Sequence, residues 1–128
     1  MAYFADLTQY EYRPFQKQSR AGLLNVGWLD HEHDYPKGAV DSGSLEKLER
    51  LCASPVNRTR GVHHCPYCKE YPVRAITAEG RTLGLGNAEI RVPGLQGIEY
   101  AAPTLIYHYI REHEYRPPEE FLEALRRL

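Results

Sequence analysis

The chain has 128 residues, a formal net charge of −1 and a composition that is 42% hydrophobic and 26% charged. This length and composition predict one globular domain, spanning residues 1–128, with enough apolar residues for a core. The charge excludes an overall basic field for nucleic acid, and no apolar run approaches the ~18 residues of a membrane span.

The first half of the chain is predicted to hold two strands and one helix, separated by polar loops. In chain order these are a strand at 3–7, a loop at 8–22, a strand at 23–29, a loop at 30–41 and a helix from Ser42 or Ser44 to about Ala53. We expect Tyr10, Tyr12 and Phe15 of the first loop to pack onto the core, and Trp28 to anchor it. Cys52 lies on the apolar face of the helix, which indicates a buried residue and not a ligand.

The second half is predicted to hold several short strands followed by two helices. They are a hairpin of strands at 73–78 and 81–85, strands at 89–92 and 98–101, a helix at 104–113 and a last helix at 118–128. Pro103 suits the first turn of the earlier helix, and acidic and basic residues suit the two ends of the later one. The sequence therefore predicts an α+β fold with short antiparallel strands and about three helices.

Two of the three cysteines form the motif Cys65-Pro66-Tyr67-Cys68. A Cys-x2-Cys turn presents two thiolates to one Zn²⁺ ion, and a second ligand pair often comes from a helix with His-x3–5-His spacing. His108 and His113 have that spacing. The order of a knuckle, short strands and a ligand-bearing helix is typical of treble-clef-like zinc domains, and predicts a small zinc-stapled domain.

The sequence does not decide whether His113 or His63 completes this set of ligands. Residues five apart on an ideal α-helix point about 140° apart, so His108 and His113 reach one ion only if His113 lies at or past the helix end. Alternatively, His63 joins Cys65 and Cys68 from the same loop. The candidate metal ligands are therefore Cys65, Cys68, His108, His113 and His63.

Four protein ligands leave no open position for water, so the zinc is expected to be structural and no catalytic residue is assigned. The stretch His31-Glu32-His33-Asp34 is interpreted as a solvated loop. The sequence thus favours a binding or regulatory interaction module with a protein partner over an enzyme. The start of the chain has no basic region or long apolar run, which indicates a cytoplasmic protein without a secretion signal.

Two alternative functions come from other classes. The Cys-Pro-Tyr-Cys motif resembles the active site of glutaredoxins, but no apolar strand precedes it and Pro72 interrupts a following helix. Nucleic-acid binding, or an HNH-like nuclease that uses a spare His63 or His64, is suggested by six basic against three acidic residues between Arg58 and Arg91.

Over nearly its whole length, the chain resembles an uncharacterised family of small bacterial proteins with a Cys-x-x-Cys loop and a C-terminal helix that bears histidines. The matching segments are residues 1–7, residues 25–29, the His63/Cys65/Cys68 stretch, residues 102–109 and residues 113–118. The resemblance implies a bacterial cytoplasmic origin and the pairing of the cysteine loop with the helix of His108. It implies no activity.

Overall fold

The structure is a computed structural model and describes residues 3–11 and 22–128. These residues form an α+β fold with short strands and three helices, as predicted. The elements are β1 (Leu23–Asn25), α1 (Ser42–Ala53), β2 (Arg74–Ile76), β3 (Thr82–Gly84), β4 (Glu89–Pro93), β5 (Glu99–Pro103), α2 (Leu105–His113) and α3 (Glu119–Arg126).

The described strands form two separate sheets. One has the order β1-β5-β4, in which β4 and β5 are antiparallel, and the other is the antiparallel hairpin of β2 and β3. Strand β1 pairs with β5 in parallel, with Leu23 opposite Glu99. This parallel pair joins segments more than 70 residues apart, so no local turn in the sequence could have indicated it.

The two strands expected before residue 30 are shorter in the structure. Residues 3–7 contribute only an isolated bridge between Phe4 and Trp28, and the second strand ends at Asn25. The cause is backbone conformation, because Leu7 (φ 69°) and Gly27 (φ 81°) both leave the extended region. Tyr10 is buried as expected, whereas Tyr12 and Phe15 lie outside the described residues.

Helix α1 begins at the expected place with a different cap. The carboxylate of Asp41 accepts a hydrogen bond from the backbone N–H of Ser44 at 3.0 Å, so the N-cap is Asp41 and not Ser42 or Ser44. Asp caps a helix well because it satisfies a backbone N–H that has no partner within the helix. Cys52, near the other end, is buried and its Sγ contacts the carbonyl of Thr104 at 3.7 Å, as a core residue should.

Helix α2 is the most buried of the three described helices, and its residues 105–110 are all buried. It follows β5 directly, so the sheet and the helix bury their apolar faces together with α1 and α3. Each fully buried aliphatic or aromatic side chain stabilises the fold by about 1.5–3 kcal/mol. The fully enclosed residues of this core include Leu48, Leu85, Ile90, Leu105, Ile106, Tyr109, Phe121 and Leu122. The core therefore fixes α2, and with it the two histidines that α2 carries.

Candidate metal centre

The cysteine loop is a tight turn held from both sides. Within the turn, the backbone N–H of Tyr67 donates to the Sγ of Cys65 at 3.4 Å. Just before it, the N–H of His63 donates to the carbonyl of Gly86 at 2.9 Å. A Cβ added to Gly86 would lie 2.8 Å from the carbonyl oxygen of His63, so this close approach requires glycine. The loop is therefore positioned by the chain that follows β3.

The end of helix α2 supplies the two histidines. His108 is buried in the helix, and His113 is its last residue. The next residue, Glu114, has left-handed backbone angles (φ 60°, ψ 18°), and its N–H bonds to the carbonyl of Tyr109. This bond spans five residues in place of four, which widens the last turn as a π-type closure does. His113 therefore lies at the helix end, which is where its spacing from His108 requires it to be if both are to reach one ion.

The side chains of the loop and the helix meet at one point. The Sγ of Cys68 lies 3.4 Å from the Nε2 of His108, and the Sγ of Cys65 lies 3.4 Å from the Nε2 of His113. The two Nε2 atoms are 3.3 Å apart, and all four ligand atoms lie within 4.8 Å of one another. The cysteines are free thiols and form no disulfide. This Cys2His2 group could hold one metal ion.

Burial shifts the pKa of two members of the group, His108 and Cys65. Burial, with His113 as the second cause, lowers the pKa of His108 and favours the neutral imidazole that metals bind. Burial also raises the pKa of the Cys65 thiol to about 11, against the opposing hydrogen bond from the N–H of Tyr67. Without a cation the site thus favours a neutral thiol. A bound metal ion supplies the positive charge that stabilises a thiolate there.

Tyrosines surround the His113 side of the site. The hydroxyl of Tyr35 donates to the carbonyl of His113 at 2.8 Å, and the ring of Tyr67 lies 5.5 Å from the imidazole of His113. The hydroxyl of Tyr67 in turn donates to the carbonyl of Asp30. No motif in the sequence indicates these contacts, although the ten tyrosines of the chain are a compositional signal. They fix the helix end and partly shield the site from water.

The other histidines considered from the sequence lie elsewhere. His63 lines a separate cavity of about 20 Å³ beside Trp28 and Asn57, and His64 stacks on Tyr71 with ring centroids 3.9 Å apart. His33 contacts the carboxylate of Asp30 at 2.7 Å. Across residues 3–11 and 22–128, the Cys2His2 group is the one cluster of three or more such side chains with the geometry to hold a metal ion.

Comparison with known proteins identifies a family for this chain, and that family has no described activity. One family model matches residues 2–126 of the chain and is described as Domain of unknown function (DUF7919). Neither the curated proteins nor the solved structures include a match. Among the helices in the described ranges, none has the length and apolar character that crossing a bilayer requires.

Proposed function

We propose that this chain, which belongs to the DUF7919 family, is a small zinc-binding protein whose ion is held by Cys65, Cys68, His108 and His113. The distances between ligand atoms carry the proposal. Zn–N bonds of about 2.0–2.1 Å and Zn–S bonds of about 2.3 Å give tetrahedral edges of about 3.3 Å between nitrogens and about 3.6 Å between nitrogen and sulfur. The corresponding distances in the protein are 3.3 Å and 3.4 Å. Two thiolates and two imidazoles also form a donor set that zinc favours.

The proposed role of the ion is structural. Four protein ligands fill a tetrahedral site, and both Cys65 and His108 are only 4% exposed, so a substrate has little access to the ion. The ion would tie the loop that precedes hairpin β2–β3 to the end of α2. Zinc adds on the order of 10 kcal/mol to folding in small zinc peptides. We expect a smaller effect here because most residues of the core of α1, α2 and the larger sheet lie outside the loop.

For the biological role, we propose a cytoplasmic binding or regulatory module that recognises a partner protein. The support is chemical, since the proposed site uses both cysteines of the loop and two histidines as ligands and leaves neither loop thiolate as a nucleophile. The glutaredoxin-like alternative has less support. Redox cysteines have a lowered pKa at a helix N-terminus, whereas Cys65 is followed by a turn and burial raises its pKa to about 11.

Nucleic-acid binding is a second candidate, and one observation favours it. Tyr71 is 51% exposed, its ring is stacked on His64, and the basic residue Lys69 lies two positions earlier in the chain. Exposed rings next to cations can stack on bases. Incubating the zinc-loaded protein with single-stranded DNA or RNA, with and without Mg²⁺, tests this candidate. A shifted but intact strand indicates binding, a cut strand indicates a nuclease, and an unshifted strand excludes both.

The zinc proposal is tested by metal analysis of protein purified without chelator. We expect about one zinc per chain, and replacement by Co²⁺ should give the intense visible absorption of a tetrahedral site with two thiolates. A Cys68→Ser variant should lose the metal and this spectrum. Cys52→Ala is the matched control, because Cys52 is a buried cysteine of the core that contacts Thr104. Protein that is folded yet holds no metal, or equal metal in both variants, would refute the proposal.

A further inference from the structure

A groove runs along one edge of the hairpin, between strand β2 and the helices α1 and α2. It consists of three adjoining cavities of about 250, 400 and 190 Å³. The first and second share Ile76, Tyr107 and Arg111 as lining residues, and the second and third share Glu49 and Thr77. We call this continuous depression the β2 groove. It starts beside His108 and follows the strand past its end.

Strand β2 presents an unpaired backbone edge to this groove. On its other edge, the carbonyl of Val73 accepts from Leu85 at 2.9 Å, and the N–H of Thr77 donates to the carbonyl of Arg81 at 2.7 Å. Because the bonding direction alternates along an antiparallel strand, the odd-numbered residues face β3 and the even-numbered residues face the groove. Strand β2 itself covers about 10 Å of the groove with its three residues, Arg74–Ile76, and the turn residues 77–79 continue the lining.

The groove-side N–H groups have side-chain acceptors or none. The N–H of Arg74 donates to Glu70 Oε2 and the N–H of Ala78 donates to Glu49 Oε1, both at a long 3.3 Å. Between them, the N–H and carbonyl of Ile76 have no partner on the groove side within the described ranges. An edge of this kind is a template for another strand, whose carbonyls can replace the carboxylates.

The side chains along the edge indicate what such a strand would carry. Ile76 is 70% exposed, which is the largest exposure of any large apolar residue that the structure describes. The guanidinium of Arg74 makes no hydrogen bond or ion pair with the described residues. Across the cavity beside His108, Arg111 donates to the hydroxyl of Tyr107 at 3.0 Å and lies 3.9 Å from the exposed carboxylate of Glu112. The end beside His108 therefore offers two arginines against the one carboxylate of Glu112, and the middle offers an apolar side chain. The other acidic lining residues belong to the second and third cavities and are Glu46, Glu49 and Glu79.

We propose that the β2 groove binds an extended peptide of a partner protein, added to the hairpin as a third strand. An acidic side chain of the peptide lies between Arg74 and Arg111, and an apolar side chain packs on Ile76. This inference rests on the proposed function, because the metal holds the loop that leads into β2 against the helix that forms the opposite wall. The partner of that module would therefore present a segment that forms a strand and carries an acidic and an apolar side chain.

The test uses the zinc-loaded full chain and an mRNA-displayed library of random decapeptides. Selected peptides should share an Asp or Glu near a Val, Ile or Leu, and fluorescence anisotropy gives their affinity. Ile76→Pro removes the groove-side N–H and should weaken binding about tenfold or more, as expected for one lost main-chain bond and its neighbours. Thr82→Pro is the matched control, because Thr82 pairs with Ile76 and its N–H faces the opposite edge of the hairpin.

If a proline variant does not fold, two substitutions of exposed arginines test the same proposal. Arg74→Gln should weaken binding of the acidic peptide about fivefold or more, whereas Arg60→Gln, exposed and outside the groove, should not. Zinc-loaded protein that enriches no peptide, or that binds its peptide equally well as Ile76→Pro and Thr82→Pro, overturns the proposal. A dimer that dissociates on Ile76→Pro also overturns it, because the occupant is then a second copy. Zinc content, measured on every sample, separates these results from failure of the metal site itself.

Discussion

The Nε2 atoms of His108 and His113 lie 3.3 Å apart although five positions separate the two residues on one helix. An ideal α-helix would turn their side chains about 140° apart. The carbonyl of Tyr109 accepts from the N–H groups of both Glu114 and Tyr115, which widens the last turn before the chain leaves the helix. The end of the helix and the pair of histidines are therefore one structural feature, and a change to either should alter the other.

Substituting each histidine in turn should show whether His113 or His63 is a zinc ligand. We expect His113→Ala and His108→Ala to weaken zinc binding by more than about 100-fold, since even outer partners of a ligand contribute about 10–100-fold. His63→Ala should bind zinc like the parent protein, because His63 lines a different cavity. Competition with a chromogenic chelator measures all three affinities. Weak binding by His63→Ala with normal binding by His113→Ala would reverse the assignment.

Replacing Glu114 tests the backbone at the helix end. Its φ of 60° costs a residue other than glycine about 1–2 kcal/mol, and part of this is regained in Glu114→Gly. We expect Glu114→Gly to raise the free energy of unfolding by about 0.5 kcal/mol and Glu114→Val to lower it by more than about 1 kcal/mol. Urea denaturation of the zinc-loaded protein measures both.

The control for that comparison is Glu112→Val, two residues earlier on the exposed helix surface. This substitution should lower the free energy of unfolding by only about 0.5 kcal/mol, because valine has a lower helix propensity than glutamate. Equal losses in the two valine variants would show that the left-handed angles of Glu114 do not limit the choice of residue. A loss of zinc affinity confined to Glu114→Val would show that the helix end also orients His113.

The sequence was informative where a local pattern determines the structure. Helices α1, α2 and α3 follow from apolar spacing and from residues typical of helix ends, and the hairpin follows from alternation about Glu79-Gly80. The Cys-x2-Cys motif and the His-x4-His spacing indicated four residues that the structure brings together. These features depend on neighbours in the chain, which is why pattern and spacing suffice.

The remaining features depend on contacts between distant segments. Nothing near Leu23 indicates that β1 pairs with β5 in parallel, and nothing near His63 indicates that its backbone bonds to Gly86. The choice between His63 and His113 likewise depended on the left-handed angles of Glu114, which glutamate rarely adopts. A single sequence without these contacts leaves such choices open.

Two glycines with similar backbone angles should respond differently to alanine. Gly86 (φ 97°) approaches the carbonyl of His63, whereas a Cβ on Gly80 (φ 84°) would meet no atom within 4 Å. Gly80→Ala should lower the free energy of unfolding by about 1–2 kcal/mol, which is the cost of a positive φ for a residue with a Cβ. Gly86→Ala should cost about 1–3 kcal/mol more because of the clash, and should weaken zinc binding by displacing the cysteine loop. Equal effects on unfolding and on zinc affinity would contradict this role of Gly86.

Asp41 should control part of the acid sensitivity. Hydrogen bonds from the hydroxyl and N–H of Ser44, with a smaller contribution from Arg126, lower its pKa from 3.8 to about 2. A carboxyl whose folded pKa is lowered contributes stability above its unfolded pKa, and that contribution is lost as the pH falls from about 4 to about 2. Asp41→Asn keeps a capping side chain but cannot titrate, so the difference in unfolding free energy between the two proteins should shrink over this range.

Asp41→Ala removes the cap as well and should cost about 1 kcal/mol at neutral pH. Asp34→Ala, at an exposed position in the preceding loop, serves as its control. Measuring differences at each pH removes the effect of zinc release, which acid causes in every variant. A pH-independent difference between the parent and Asp41→Asn would argue against ionisation of Asp41 as the cause.

Metal removal should loosen one part of the molecule and spare the rest. The loop at 62–72 and strands β2 and β3 have few buried residues and are expected to depend most on the ligand group, whereas β4, β5 and α3 are fixed by buried residues such as Ile90, Val92 and Phe121. After treatment with a chelator, hydrogen exchange should therefore become faster in residues 62–85 and at the end of α2, with protection retained in β4 and β5. The Cys65→Ser/Cys68→Ser variant should show this pattern without chelator and change no further when it is added. Global loss of protection would mean that the ion contributes most of the folding free energy, and an unchanged pattern would mean that no ion was bound.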